Sequence, residues 1–395
     1  MKIVHICQYY NDGYGYQENL LPRYQKKLGH DVVVITSDRR SYFAGEKVPK
    51  IVGTGQFEDN GVRIERLQIS GEFKGRHVRF SNLTMHLESE KPEYIFHHGL
   101  TAPSLITVAK YKQKYPSLFL AADNHADYHN SGQHGLWRFL YYRGLWRQKI
   151  QKIADYVDVF FSVTPGCRDF AERELGVPKE KHRLLYLGAD VETNYYCSEW
   201  RERIRKDLGF NERDLVLITA GKIDRKKKTI NIVRALKEID SDIVKLMIVG
   251  TIESSYEQEL NELIKEDPRI KRIGWIEANE LYKYFSAADM AVFPGGQSAI
   301  WQQTISCELP VILRYHPGTE YILHENNGLF LFSEDPRELR QYIDLIIEAN
   351  EQLGKMRENA RRLVIGSLSY DIIASQSIEP ARKKIYRMYR SQITN

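Results

Sequence analysis

No stretch of this chain approaches the roughly 18 consecutive apolar residues of a membrane-spanning helix, so nothing in it is expected to cross a bilayer. Cysteine is scarce. Cys7, Cys167, Cys197 and Cys307 are widely scattered, with no CxxC pair and no histidine at metal-ligand spacing, which argues against a structural zinc and for a reducing compartment. The opening MKIVHICQYY runs straight into a strand pattern, without the long apolar region or cleavage site of a secretory signal, and the expected location is cytoplasmic. A surplus of positive charge is missing as well. The 57 Lys and Arg against 52 Asp and Glu leave +5, far short of a dedicated nucleic-acid binder; no nucleic-acid partner is expected, and any basic site must be local.

What is present is an ordinary globular composition, with 42% hydrophobic and 28% charged residues and a mean hydropathy of -0.48. The 395 residues suggest two domains. Short apolar runs alternate with amphipathic helical stretches, the pattern of parallel sheets built from strand-helix-strand units, so the fold class is α/β. The first half predicts strands over Ile3 to Ile6, Val32 to Thr36, Tyr94 to His98, Leu118 to Ala122, Val157 to Val163 and Arg183 to Tyr186, with a helix from about Gln17 to Leu28 closed by Gly29. These make a domain over 1–190. The stretch 191–214 has charges and aromatics but no apolar run, and reads as a linker. A second doubly wound domain over 215–370 has strands at Val216 to Ala220, Leu246 to Val249, Ile270 to Ile273, Met290 to Phe293, Val311 to Leu313 and Leu329 to Phe332. A last helix over 371–395 is expected to return to the first domain. In open α/β sheets ligands bind at the carboxyl ends of the strands, so the two halves are expected to present their loops to a shared cleft.

Two loops stand where chemistry is expected. The first, Asn11 to Tyr16, lies between the first strand and first helix and carries Gly13 and Gly15, where free N–H groups favour an anion and a simple turn is the alternative. Glu18 occupies the place of the third glycine of a dinucleotide fingerprint, which argues against NAD. The second loop, Gly221 to Lys228, directly follows a strand and holds five basic residues within seven positions. A solvated charge run more often lies on a helix face; one at a strand end reads as a diphosphate clamp, in which ammonium groups neutralise charge on a departing phosphate.

The succession strand-GK-x4-K-helix, KLMIVG, RIGWI, LYKYFSAADMAVFP and CELPVIL resembles glycosyltransferase family 4, of the group 1 glycosyltransferases. MKIVHICQYY, GYGYQENLLPRYQKKLGHDVVVITS, KPEYIFHHG, YVDVFFSVTPGCRDF and LLYLGAD resemble its amino-terminal motifs, so the likeness spans nearly the whole chain. The resemblance implies a GT-B fold and a retaining transfer of a sugar from a nucleotide diphosphate-sugar donor, with neither metal nor cofactor. The acceptor would be a glycan or a lipid-linked species in cell-surface polysaccharide synthesis.

It also places Gly221 and Lys222 (where the family usually has Arg) with Lys227 at the donor diphosphate, Lys226 or Lys228 being stand-ins for Lys227. His125 matches the family's cleft histidine, with Asp123 and Asp127 as neighbours, or else caps a loop. Gly13 and Gly15 match the family's glycine loop, and Leu187 to Asp190 a structural segment. Trp275 either stacks on the nucleobase or fills core, and Glu320 either orients the ribose or caps a helix. The clearest departure lies at Pro294 to Gln303. Where the family carries two glutamates eight positions apart, this chain has Gly295 and Gln303, and the segment is about three residues shorter. Gln303 can still hydrogen-bond a ribose hydroxyl, and the N–H groups of Gly296, Gln297 and Ser298 could hold sugar hydroxyls. Loss of both glutamates leaves a second reading, an inactive scaffold or partner subunit.

One segment stands apart from these motifs. Leu136 to Ile150 is rich in aromatics and Arg, with Trp137, Tyr141 and Leu145 on one side at helical spacing and Arg143 and Arg147 nearby. It reads either as a peripheral contact with the inner face of the membrane or as a core-facing helix with snorkelling arginines.

Overall fold

The computed structural model describes residues 1–41, 48–73, 75, 77–265, 267–298, 300–349 and 351–393. Runs such as Val32 to Ile35, Tyr94 to His97 and Leu118 to Ala122 are apolar at nearly every position because parallel strands are covered on both faces. In the first unit, Met1–Leu187 with the chain from Tyr370 onward, they form one sheet. Its strands are β1 (Lys2–Ile6), β2 (Asp31–Ser37), β3 (Gly55–Asp59), β4 (Val62–Leu67), β5 (Tyr94–His97), β6 (Phe119–Asn124), β7 (Val159–Ser162) and β8 (His182–Leu184). The order is β8-β7-β6-β5-β1-β2-β4-β3, parallel throughout except for the edge hairpin of β3 on β4. Successive strands leave β1 in one direction and, from β5, in the other. The carboxyl ends of β1 and β5 therefore part, and a crevice opens between their loops.

The second unit, Gly188–Ser369, has six parallel strands: β9 (Leu215–Ala220), β10 (Val244–Val249), β11 (Ile270–Gly274), β12 (Met290–Phe293), β13 (Val311–Arg314) and β14 (Gly328–Leu331). Their order, β11-β10-β9-β12-β13-β14, is the doubly wound one, with its switch point between β9 and β12. The loops at 221–228 and 294–298 leave from those two strand ends.

The segment expected as a linker is not one. It contains a helix, Ser198–Leu208, which belongs to the second unit and packs on the helix Leu281–Ala287. The helix is anchored by guanidinium groups rather than by an apolar stripe. Arg205, buried, donates from Nε to Ala287 O at 2.9 Å and pairs with Asp289, while Arg201 Nη2 reaches Asp289 Oδ1 at 2.6 Å. An anchor made of charge leaves no hydrophobic period to read, because the arginines donate to carbonyls that only the fold brings near.

The helix Tyr370–Ile393 lies in the first unit against α1 (Gln17–Lys27). Tyr370, Ile373, Ala374, Ile378 and Ala381 recur at helical spacing and are buried with Leu20, Leu21 and Tyr24. Lys384 Nζ adds an ion pair to Asp158 Oδ1 at 2.6 Å. Ile373→Ala is expected to cost about 2–5 kcal/mol through lost burial and a residual cavity, read as a lower urea midpoint for the first unit.

Candidate functional site

At the switch point of the second unit, two loops are built around one close approach. Gly221 follows β9 at φ +111°, a backbone conformation for which glycine is suited. The chain then turns on Asp224, whose Oδ1 accepts from the N–H groups of Lys226 at 2.9 Å and Lys227 at 3.1 Å. From β12, Pro294 to Gly296 lies directly on this turn. A Cβ on Gly295 would stand 2.1 Å from Lys226 O, and Gly296 N–H donates to that same oxygen at 3.1 Å. Lys227 Nζ closes the contact by donating to Gly296 O at 3.2 Å and Gln297 O at 3.1 Å. Burial holds its ammonium below the usual lysine range, against an opposite pull from Asp224.

The five basic residues are therefore not equivalent. Arg225 pairs with Glu259 at 2.8 Å, Lys228 with Glu334 at 2.9 Å, and Lys227 holds the neighbouring loop. The side chains of Lys222 and Lys226 are exposed, with no hydrogen bond or ion pair among the described residues. Lys228, engaged by Glu334, is therefore a poor stand-in for Lys227. The expected trio of amide donors also needs correcting. Gly296 N–H is taken by Lys226 O, leaving Gln297 and Ser298 with N–H groups unpaired among the described residues. Gln303 is half-buried, and its side chain has no partner among those residues; only its carbonyl accepts, from Ser306 Oγ at 2.8 Å.

Trp275, on the loop after β11, is 61% exposed, which disposes of the core reading. Glu320 accepts from Tyr315 OH at 2.7 Å and caps no helix, since the short turn Glu320–Ile322 has no side-chain cap. A surface cavity of about 630 Å³ lined by Lys237 to Asp242 with Lys265, Asp267, Pro268 and Arg269 lies before β10 and β11, at the amino ends of the strands, and so away from these loops.

In the first unit the candidates separate. Gly13 N–H donates to Asp59 Oδ2 at 3.1 Å, and the same oxygen accepts from Tyr10 OH at 2.8 Å. A resident carboxylate on that amide repels a phosphate, so the expectation of an anion held by Gly13 fails here. Gly15 makes no hydrogen bond among the described residues. His125, by contrast, stands just past β6 with its side chain 43% exposed, and its Nε2 lies 3.2 Å from Asp123 Oδ2 and 2.9 Å from Gln17 Oε1. Burial pulls this imidazole toward neutrality, but Asp123, in contact and hydrogen-bonded, and then Glu18 override it, so it titrates above the usual histidine range. Asp127 is not part of this group. Its Oδ1 holds the turn N–H groups of His129 and Asn130 at 2.8 and 2.6 Å.

Several residues around His125 were not singled out from the sequence. His98 Nδ1 lies 3.5 Å from Asp123 Oδ2, and Gln17 brings a buried Nε2 with no partner among the described residues. Glu18, half-buried in the first turn of α1, has its carboxyl raised by desolvation, against the pull of His98 and His125. The available signal was HHG at the end of a predicted strand, polar residues where an apolar run stops. Since a side chain at position 295 must displace backbone, Gly295→Ala is expected to lower stability by about 1–3 kcal/mol in urea unfolding, and a silent substitution would contradict the observed packing.

Two family models divide the chain between them: Glycosyltransferase Family 4 matches residues 19–193, and Glycosyl transferases group 1 matches residues 201–363. An "uncharacterized glycosyltransferase MJ1607" of Methanocaldococcus jannaschii is 22% identical over 209 residues, 51% of this chain and 54% of the relative, so the match spans about half the relative's length. Among solved structures, Alr3699/HepE of Anabaena in complex with UDP superposes with a TM-score of 0.72 at 15% identity, covering 97% of this chain and all of that one. WaaG, a glycosyltransferase involved in lipopolysaccharide biosynthesis, gives 0.65 at 16% identity, covering 95% and 98%. These likenesses give the fold as GT-B. With the two models matching successive halves and a pair of doubly wound parallel sheets carrying their loops at the strand ends, the chain belongs to the group 1 family of glycosyltransferases.

Proposed function

We propose that this chain is a retaining glycosyltransferase that moves a hexosyl group from a nucleotide diphosphate-sugar to a glycan or lipid-linked hydroxyl in cell-surface polysaccharide synthesis. The observation that carries the reading is the meeting of the 221–228 and 294–298 loops at the switch point of the second sheet, with Lys222 exposed and unengaged beside it. Ammonium charge at that place suits a diphosphate, whose negative charge grows as the sugar departs. In the proposed reaction the bond from the anomeric carbon to the diphosphate oxygen breaks, and the acceptor oxygen bonds to that carbon on the same face. The acceptor's proton passes to the departing phosphate, so no protein base is required. Gly221, Lys222 and Lys227 serve the diphosphate side, Gln303, Glu320 and Trp275 the nucleoside, and His125 the sugar.

The uridine diphosphate bound by HepE makes UDP-sugars the first donors to test. Lys222→Ala is expected to lower kcat at least about tenfold with an unchanged unfolding midpoint, and wild-type turnover to persist in EDTA. Rates within about twofold of wild type for Lys222→Ala would remove the clamp. Absence of both turnover and calorimetric binding for every common donor would leave the scaffold reading, which the missing glutamates favour.

A second observation supports work at a lipid surface. Among the described residues, no helix is long and apolar enough to cross a membrane. Around Leu136 to Ile153 the chain is α-helical, then a π-helix over Arg138–Trp146, then α-helical again, and the wider turn changes which residues share a face. Tyr142, Trp146, Ile150 and Ile153 are buried, whereas Leu136, Trp137, Phe139, Leu140 and Leu145 are exposed, with Trp137 stacked on Tyr141 at 4.6 Å. The segment 135–154 has five basic residues and no acid, and Glu174 takes up only Arg138 and Arg143. Such a face suits an anionic bilayer surface. Sedimentation with phosphatidylglycerol vesicles is expected, and Trp137→Asp with Leu140→Asp should reduce it to the level seen with neutral vesicles.

A further inference from the structure

His125 is the exposed end of a hydrogen-bonded chain that runs through the first unit, and the direction of each bond can be worked out from the opposite end. Ser377 Oγ–H, on the helix Tyr370–Ile393, donates to Ala374 O at 2.6 Å, so the oxygen must accept from Gln25 Nε2 at 2.9 Å. That turns the Gln25 amide so that its Oε1 accepts from His5 Nε2 at 2.8 Å. His5 is fully buried, and desolvation, then the neighbouring His98, push it down to about 3, so the ring is neutral and its other nitrogen, Nδ1, bears a lone pair. His98 Nε2, 3.0 Å away, must then be the donor. Its Nδ1 faces Asp123 Oδ2 at 3.5 Å. Asp123 has no exposed surface; its Oδ1 accepts from Gly99 N–H at 2.8 Å, and its Oδ2 lies between His98 and His125.

We propose that Asp123 is the positioning residue of His125: held between the two imidazoles, it fixes His125 with a proton on Nε2 facing inward and Nδ1 facing outward to the substrate, while His98 donates from Nε2 to His5 and turns Nδ1 to the same carboxylate. The arrangement is built by the sheet. Cys7, His98 and Asp123 stand one residue beyond the paired row Ile6, His97 and Ala122, on the face covered by α1 and the C-terminal helix. Groups that face the cluster are Glu18 from α1, Cys7 and His5 from β1 and its end, and Gly99 N–H from the loop after β5. His97 points to the opposite face, with Nε2 on Ser104 Oγ at 2.9 Å. Burial alone would raise the Asp123 carboxyl, yet His125 and His98 hold it well below the usual carboxylate range, so the group stays ionised. In its protonated form His125 then offers Nδ1–H outward as a charged donor, and above its titration range Nδ1 becomes an acceptor. The bond that selects between these states is made by a residue that touches no substrate.

The consequence for turnover rests on the transferase reading, whereas the proton assignment does not. The test is nitrogen-15 histidine spectroscopy of the full chain, with signals assigned through His98→Asn and His125→Asn. Wild type is expected to show His98 with a proton on Nε2, and His125 in its neutral form protonated on Nε2. Asp123→Asn should keep the Nε2 proton, because the amide oxygen still accepts, but lower the His125 midpoint by about one pH unit or more. Turnover should fall mainly in kcat, with the pH profile displaced in the same direction. A lone proton on Nδ1 of His125 in wild type, a His98 without a proton on Nε2, or a midpoint unmoved by Asp123→Asn overturns the proposal. The wild-type spectrum decides even if the variant fails to fold. The expected spectra without sugar transfer would support the positioning role and count only against the transferase reading.

Discussion

A strand covered by helices on both faces has little room for a polar side chain except where it ends, and that constraint decides where chemistry can stand in both units. In the second unit β9 and β12 are parallel neighbours whose connections run to opposite sides of the sheet, so their loops stand side by side at the switch point. Once the loops are there, steric fit sets the rest. The turn on Asp224 and the glycine at 295 let the two backbones come into contact, and Lys227 joins them. In the first unit the same constraint gathers His98, Asp123 and His125 at the ends of β5 and β6, with α1 closing over them.

Charge is managed differently in the two places. The loop after β9 is crowded with cations, and their mutual repulsion is relieved by assigning most of them elsewhere, Arg225 to Glu259, Lys228 to Glu334 and Lys227 to carbonyl oxygens. The ammonium groups left unengaged among the described residues are those of Lys222 and Lys226, and Lys227 is free to meet another group only by giving up its carbonyl partners. Around Asp123 the reverse holds. One buried carboxylate would be untenable alone, and two imidazoles with a backbone N–H make its ionised form the stable one.

The departure at Gly295 and Gln303 gains a physical meaning from this packing. A glutamate at 295 could not be accommodated in the present backbone, because even a Cβ would meet Lys226 O. The shorter loop and the glycine belong together. In place of a glutamate side chain, that point presents the N–H groups of Gln297 and Ser298 and the amide of Gln303, unpaired among the described residues.

The residue pattern by itself determined the α/β class, most of the parallel strands and the positions of the two strand-end loops, since continuous apolar runs and glycines are local properties of the chain. It also carried His125, Lys222 and Lys227 as candidates through the order of their motifs. It could not decide that 191–214 holds a helix, because Arg201 and Arg205 anchor it on Asp289 instead of burying a stripe. Nor could it tell that Asp59 occupies the Gly13 amide from 46 positions away, that Gly296 N–H is already engaged, or that a π-helical stretch changes which aromatics after Leu136 are exposed. Those outcomes depend on donors and acceptors, or on turn geometry, that only the tertiary structure establishes. The chain from Ser377 to His125 is the extreme case, because the direction of each hydrogen bond follows from the next and its two ends lie about 250 residues apart in sequence.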